Sequence, residues 1–166
     1  MRLLVLGGTQ FLGRHVVDAA LARGHDVATF TRGVSGPPAD GVRALHGDRD
    51  DADALPRALD GWAPELVVDT SCRTRPAAEH AAAALGGVRG YAFVSSLNAY
   101  RHWPPGPIGR EDDEPAWDTD EDAYGPNKAH AERVLAAAVG PGFLTARAGL
   151  VVGPFDYVHR LGCRRT

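Results

Sequence analysis

The sequence predicts a doubly wound α/β domain with a mostly parallel sheet and helices on both faces. Short, unbroken apolar runs, such as residues 3–6, alternate with segments of helical spacing, such as residues 11–17. A continuous apolar strand is buried on both of its faces, as in a parallel sheet covered by helices. Because this alternation recurs along the chain, right-handed crossovers and a doubly wound sheet are expected.

The alternation gives six strands and four helices. Strands are expected at residues 3–6, 27–31, 42–45, 66–68, 91–94 and 143–147, and helices at residues 11–17, 51–59, 76–85 and 123–139. Proline at position 76 is compatible with the third helix, since the first turn of a helix tolerates proline. Glycine and proline cluster at residues 33–41 and 103–109, which are therefore expected to be loops.

The composition favours a soluble globular protein and excludes several classes of function. The 166 residues suffice for one domain with a sizeable core, and a net charge of -3 offers no basic surface to nucleic acid. No apolar run reaches the roughly 18–20 residues that span a membrane, and no signal-peptide core is present. Two separate cysteines and scattered histidines give no metal-binding set. We expect a cytoplasmic protein without a nucleic-acid, membrane or metal partner.

A glycine-rich turn connects the first strand to the first helix. A dinucleotide pyrophosphate binds at this position in α/β folds, because glycine lets the backbone approach the phosphates and the N–H groups of the helix start bind the anion. Glycine at position 13 would also let the helix pack closely on the strand. Glycines form ordinary tight turns as well, so the place of the turn after the first strand carries the argument. The cofactor residues predicted here are Gly7, Thr9, Gln10, Phe11, Leu12 and Gly13.

Tyr124 and Lys128 stand at the head of the strongest predicted helix. Positions i and i+4 share one helix face, so the phenol and the ammonium project side by side. A free phenol is a poor base near neutral pH, and a nearby positive charge stabilises its phenolate. Tyr-x-x-x-Lys spacing is common on surfaces, but Lys128 is the only lysine of this chain. The pair is therefore a candidate for proton transfer.

Ser96 lies at the end of the fifth predicted strand. Ligand groups in open α/β sheets gather at the carboxyl ends of the strands. A hydroxyl at that place can donate to a substrate carbonyl oxygen or accept from an alcohol. A serine at a strand end can equally satisfy nearby backbone groups, and the residue alone does not decide between these roles.

From residue 1 to about residue 154, the chain resembles the extended short-chain dehydrogenases/reductases of the NAD-dependent epimerase/dehydratase kind. The turn is similar to the G-x-x-G-x-x-G fingerprint of that family, with Gln10 in place of the middle glycine. It is also similar to the turn of an atypical subgroup that includes chloroplast stem-loop RNA-binding relatives. The resemblance implies a Rossmann sheet, an NAD(P) cofactor and hydride transfer to or from a hydroxyl or carbonyl carbon of a small molecule, such as a nucleotide sugar.

The resemblance also implies roles for individual residues. Tyr124 would be the general acid/base, Lys128 would hold the nicotinamide ribose and assist the phenol, and Ser96 would orient the reacting oxygen. The remaining cofactor contacts carried over from the family are Asp48 near the adenine, and Asp69 and Thr70 after the fourth strand.

Arg32 follows the second predicted strand, where an NAD enzyme usually places an acidic residue on the adenine ribose. A carboxylate would repel a 2'-phosphate, whereas a guanidinium can pair with it. The residue therefore favours NADP over NAD. The alternative is a solvated loop charge with no ligand.

Two segments are expected: an NAD(P)-binding domain at residues 1–154, and an irregular tail at residues 155–166 that would begin a largely missing substrate lobe. The resemblance therefore leads us to expect a truncated or frameshifted product, or a chain that needs a separate partner. Two alternatives to an enzyme stay open, namely a dinucleotide-binding regulatory module without turnover and an RNA-binding relative. A homodimer through the helix of Tyr124 is expected by analogy with the family.

Overall fold

The computed structural model of the protein describes residues 1–104, 106, 110 and 116–156. The predicted tail beyond residue 156 and part of the predicted loop at 103–109 lie outside these residues. The elements are, in chain order, β1 (Arg2–Leu6), α1 (Phe11–Ala22), β2 (Asp26–Thr31), β3 (Arg43–His46), α2 (Ala54–Leu59), β4 (Leu66–Asp69), α3 (Arg75–Leu85), β5 (Gly90–Ser96), α4 (Tyr124–Val139) and β6 (Phe143–Ala148).

The six strands form one parallel sheet in the order β3-β2-β1-β4-β5-β6. The chain runs outward from β1 to β3 and then returns to place β4 on the other side of β1. The direction of winding therefore reverses between β1 and β4, so the loops that leave these two strands diverge and open a crevice. The predicted doubly wound parallel fold is confirmed.

β1 is buried on both faces, as its unbroken apolar run predicts. Leu4 and Leu6 join the larger core, which packs beneath α2, α3 and α4. Leu3 and Val5 point the opposite way and join a smaller core with Val17 of α1. Each fully buried side chain of this kind contributes about 1.5–3 kcal/mol, so the two cores fix the helices against both faces of the sheet.

Three elements differ from the prediction by two or more residues at one end. α1 continues to Ala22, five residues past its predicted end. α2 begins later than predicted because the Asp51 carboxylate accepts the Asp53 N–H in a local turn. Pro56 also has no N–H to donate, so it fits only the first turn of that helix. β5 runs further than its apolar residues suggest, because the buried Ser95 hydroxyl donates to Glu132. Of the helices in the part of the chain described, none has the length and hydropathy needed to cross a bilayer.

Candidate active site

A cleft of about 710 Å³ lies across the carboxyl ends of the strands, at the reversal of the strand order. Cofactor and small-molecule sites typically have volumes of this size. All the predicted site residues but one contribute to its lining. Those that do are Gly7, Thr9, Gln10, Phe11, Leu12, Gly13, Arg32, Asp48, Thr70, Ser96, Tyr124 and Lys128.

The glycine turn forms a cradle at the start of α1. Gly7 and Gly8 have φ angles of +106° and +113°, a region that side-chain-bearing residues rarely adopt. A Cβ at Gly13 would lie 2.6 Å from the Gly8 nitrogen, so α1 can rest on the turn only because residue 13 is glycine. Gln10 precedes the helix, and its side chain makes no capping hydrogen bond. The amino terminus of α1 therefore borders the cleft without a side-chain cap from Gln10, which fits a pyrophosphate there.

Arg32 and Asp48 mark the end of the cleft next to β2 and β3. Arg32 is exposed, and Val34 and Ser35 line the cleft beside it. Asp48 is the second residue after β3, and its carboxylate accepts the Asp50 N–H at 3.1 Å. Both charged side chains are thus on the opposite side of the glycine turn from β5, where the proton-transfer candidates are found.

Asp69 is the predicted cofactor residue that does not line the cleft. Its carboxylate is fully buried, accepts two hydrogen bonds from the Arg49 guanidinium at 2.8 Å each, and accepts one from the Tyr91 hydroxyl at 2.8 Å. Burial alone would raise the pKa of Asp69, but the ion pair with Arg49 and the hydrogen bonds outweigh it and lower that pKa. The Asp69 carboxylate oxygens are therefore already occupied inside the protein, and a cofactor contact by Asp69 stays a prediction.

Tyr124 and Lys128 meet at the start of α4. Tyr124 is 45% exposed and Lys128 only 5%. The Lys128 Nζ donates to the Val94 carbonyl at 2.9 Å and lies 5.8 Å from the centre of the Tyr124 ring. Burial lowers the pKa of Lys128, and the negative charge of Asp69 partly opposes that effect. The ammonium is therefore anchored at the end of β5, next to the phenol.

Ser96 lines the cleft and also satisfies a backbone group. Its Oγ accepts the Asn98 N–H at 3.2 Å, and its hydroxyl is 3.4 Å from the Asn98 Oδ1. A Cβ at Gly125 would collide with the Asn98 carbonyl oxygen, so glycine after Tyr124 lets the first turn of α4 approach this segment. Both roles considered for Ser96 thus fit its position.

Glu132, one turn after Lys128 on α4, forms an ion pair with Arg147 of β6, and this pair was not predicted from the sequence. The Arg147 Nη2 is 2.6 Å from a Glu132 oxygen, and the Ser95 hydroxyl donates to the same carboxylate. Glu132 is 7% exposed. The available signal was the spacing of Tyr124, Lys128 and Glu132, which places three polar side chains on one face of an alanine-rich helix.

Arg75, the first residue of α3, holds the segment that leads into Tyr124. Its guanidinium donates to the carbonyl oxygens of Thr119 and Glu121, and to the Asn127 Oδ1 at 3.2 Å. These partners are 44 to 52 residues away along the chain. No local pattern indicates such a contact, so it could not be predicted from the sequence.

The strand order, the glycine turn and the Tyr-Lys pair on α4 define a Rossmann domain of the short-chain dehydrogenase/reductase class. Residues 3–164 match the NAD dependent epimerase/dehydratase family. The chain belongs to this family.

Curated relatives include enzymes and a binding protein. The chain is 33% identical over 165 residues to the 2'-dehydrokanamycin reductase of Streptomyces kanamyceticus, a match that covers 98% of this chain and 44% of the reductase. It is 27% identical over 175 residues to the chloroplast stem-loop binding protein of 41 kDa b of Arabidopsis thaliana, covering 94% of this chain and 43% of that protein. The chain therefore spans less than half the length of these relatives.

Solved structures share the fold. The Bordetella bronchiseptica enzyme WbmH in complex with NAD+ superimposes with a TM-score of 0.79 at 19% identity, covering 94% of this chain and 58% of the other. WbmG of the same organism, in complex with NAD and UDP, gives 0.74 at 23% identity, covering 89% and 52%. The UDP-glucose 4-epimerase of Thermus thermophilus in complex with NAD gives 0.69 at 24% identity, covering 89% and 54%.

Proposed function

We propose that this chain is the cofactor-binding and proton-transfer part of an NAD(P)-dependent oxidoreductase, epimerase or dehydratase. One observation carries the proposal: Ser96, Tyr124 and Lys128 line the same cleft as the glycine turn. A group that binds at the turn and extends toward β5 reaches all three side chains. Family membership over residues 3–164 supports the same class of reaction.

The dinucleotide is held by the glycine turn and the loops that follow β2, β3 and β4. The phosphates bind the amino terminus of α1, which the Gln10 side chain does not cap. Asp48 contacts the adenine end, and Thr70 lies under the turn, since a Cβ at Gly7 would be 2.6 Å from the Thr70 Oγ1. When bound, the nicotinamide accepts or supplies the hydride.

The protein contributes orientation and proton transfer. Tyr124, exposed at the mouth of the cleft, exchanges a proton with the hydroxyl or carbonyl oxygen of the substrate. The buried Lys128 ammonium stabilises the phenolate form and binds the nicotinamide ribose. Ser96 orients the reacting oxygen by a hydrogen bond from its hydroxyl.

The proposed substrate is a small molecule with a secondary alcohol or ketone, such as a nucleotide sugar. Two proteins of similar fold were solved with UDP or with UDP-glucose, and a curated relative is a reductase of 2'-dehydrokanamycin. Because the chain covers less than half of its curated relatives, its own turnover is part of the proposal.

We propose NADP as the preferred cofactor, with NAD as the alternative. The argument is the charge of Arg32, which is exposed on the cleft lining with Ser35 beside it. A guanidinium forms charge-assisted hydrogen bonds with a 2'-phosphate and gains little from a ribose hydroxyl. The proteins of similar fold that were solved with NAD show only which cofactor those proteins bind. The preference of this chain is therefore tested by titration.

Parallel calorimetric titrations of the chain with NADP+ and NAD+ test the proposal. We expect both to bind, NADP+ more tightly, and Arg32→Ala to weaken NADP+ binding by about tenfold while NAD+ binding changes less than about twofold. Arg43→Ala, at the amino end of β3, is the matched control. If neither dinucleotide binds, the proposed function is wrong. Equal loss for both cofactors would remove only the role of Arg32.

A dinucleotide-binding module without turnover and an RNA-binding protein are the competing proposals. Similarity to the chloroplast stem-loop binding protein favours the second, and the net charge of -3 disfavours it. Salt-dependent retention of RNA on a filter would support RNA binding. The homodimer through α4 also stays a proposal, which sedimentation equilibrium of the chain tests.

A further inference from the structure

A buried ion pair joins two of the loops that line the cleft. Arg49 follows Asp48 in the loop after β3, and Asp69 precedes Thr70 at the end of β4. Asp48, Arg49 and Thr70 all line the cleft. The side chains of Arg49 and Asp69 are only 12% and 0% exposed. Arg49 therefore borders the cleft next to residues assigned to the cofactor, and Asp69 lies behind them.

The geometry of the pair leaves it little freedom. The two Nη atoms of Arg49 each donate to a different oxygen of Asp69 at 2.8 Å. The same carboxylate accepts the N–H groups of Ser71 and Cys72 at 3.0 and 3.2 Å, and the Tyr91 hydroxyl at 2.8 Å. Planar, bidentate contacts fix direction as well as distance. Movement of either loop would break several hydrogen bonds at once.

Strand pairing in the sheet does not hold the loops after β3 and β4 together. β3 and β4 are separated by β2 and β1, so no ladder hydrogen bonds connect them. Arg49 also donates to the Ser71 Oγ at 3.2 Å and to the Ala77 carbonyl at 3.4 Å. One side chain from the β3 loop thus contacts the loop after β4 and the first part of α3. It fixes the position of the β3 loop relative to the centre of the sheet.

We propose that Arg49 is a positioning residue of the dinucleotide cleft, which through Asp69 holds Asp48 in register with Thr70 and the glycine turn. A ligand that spans these loops then binds to a preformed surface rather than ordering it on arrival. The inference rests on the proposed function, since it requires a dinucleotide in the cleft.

A purely stabilising role predicts a different outcome from a positioning role. Replacing a buried ion pair by neutral side chains of similar size is often neutral or stabilising, whereas removal of one partner leaves a buried, unpaired charge. Arg49→Met combined with Asp69→Asn removes both charges, and the asparagine oxygen still accepts from Ser71 and Cys72. A stabilising role therefore predicts normal cofactor binding once the double variant folds.

The experiment compares the wild-type chain, the double variant Arg49→Met/Asp69→Asn, Arg49→Lys and Arg57→Met. Arg49→Lys keeps the charge but cannot make the bidentate contact. Arg57→Met is the control, because Arg57 is on the neighbouring α2 and pairs with exposed Asp51 and Asp53. NAD+ affinity is measured by calorimetry, thermal unfolding by circular dichroism, and amide hydrogen exchange over residues 47–51 without ligand.

We expect about tenfold weaker NAD+ binding and faster exchange at residues 47–51 in the double variant, although it unfolds cooperatively. Arg49→Lys should lie between it and the wild type, and Arg57→Met should match the wild type. Wild-type affinity and exchange in a folded double variant, or in Arg49→Lys if the double variant does not fold, would overturn the inference alone. Absence of dinucleotide binding by the wild-type chain would instead overturn the proposed function, and this inference with it.

Discussion

At the scale of single residues, Tyr124 and Lys128 lie one turn apart on α4 but differ widely in their exposure to solvent. Tyr124 is 45% exposed, as a group that must reach a substrate has to be. Lys128, one turn later, is 5% exposed, and its Nζ is fixed by the Val94 carbonyl. A charge removed from water acts more strongly on its neighbour than the same charge in solvent. The two exposures therefore suit a proton donor and the charge that supports it.

Tyr124→Phe should abolish turnover and leave cofactor binding nearly intact. Loss of a positioned acid/base typically lowers the rate by about 10²–10⁴-fold, whereas the ring and its packing remain. Turnover is followed by nicotinamide absorbance with a sugar-nucleotide substrate, and NAD+ affinity by calorimetry. Tyr100→Phe makes the same chemical change at a buried residue outside the cleft lining and should retain activity. Unchanged turnover in Tyr124→Phe would remove that residue from the mechanism.

The residues that sequence reasoning found share a local signal. Gly13 and Lys128 each stand at a fixed short spacing from other members of their motifs, and spacing along a turn or helix is written in the sequence. The buried pairing of Asp69 with Arg49 was not predicted, because the two residues are 20 positions apart and pairing at that distance depends on the tertiary structure. Arg75 and its loop were missed for the same reason.

At the scale of elements, the start of α1 depends on the absence of a side chain. Gly13→Ala places a Cβ where the Gly8 nitrogen is 2.6 Å and the Thr70 Oγ1 3.0 Å away, so the helix must shift away from the turn. We expect a loss of about 1–3 kcal/mol in the free energy of unfolding, with weaker NAD+ binding. Urea denaturation and calorimetry measure the two effects.

The control for this substitution is Gly87→Ala, because a Cβ at Gly87 would meet no atom within 4 Å. It should leave both the stability and NAD+ affinity close to those of the wild type. If Gly13→Ala had the same stability and NAD+ affinity as Gly87→Ala, close packing of α1 on the glycine turn would not be needed for either property.

Polar contacts, in addition to apolar packing, fix the position of α4 along β5. Lys128 reaches the Val94 carbonyl, and Glu132, one turn later, accepts from Ser95 and pairs with Arg147. The same contacts explain why the end of β5 was not predicted, since a strand that ends in two serines has lost its apolar pattern. A polar partner on the helix makes that burial possible.

Glu132→Gln should lower the free energy of unfolding by about 1–3 kcal/mol, because the Arg147 guanidinium loses its charged partner while the shape of the side chain is kept. Urea denaturation measures the change. Glu121→Gln, at an exposed position before α4, provides the comparison and should be neutral. Equal stability of both variants would show that the ion pair contributes little to the register of α4.

At the scale of the whole molecule, the site exists only when the sheet is assembled. The cleft lining comes from the turn after β1, the loops after β2, β3 and β4, the end of β5, α4, and the end of β6 with the segment that follows it. A ligand that binds this surface and not the unfolded chain stabilises the fold by mass action. The alternation of apolar runs and helices could predict this assembly because central strands such as β1 are buried on both faces. The edge strands β3 and β6 are more exposed, and the contacts between loops depend on the tertiary structure.

The fold as a whole should lose stability in acid through Asp69. Burial would raise the pKa of this carboxyl, but Arg49 and the hydrogen bonds lower it below its unfolded value of about 3.9. When the pKa is lower in the folded protein, the carboxyl contributes stability that is complete above the unfolded pKa and is lost as the pH falls through the folded pKa.

Asp69→Asn should therefore lower the free energy of unfolding by about 3–5 kcal/mol at pH 7, since it leaves Arg49 unpaired. The stability of this variant should decline less than that of the wild type below about pH 4. Urea denaturation from pH 7 to pH 2 measures both curves, with exposed Asp118→Asn as the control. Parallel curves for the wild type and Asp69→Asn would mean that the buried pair does not control acid unfolding.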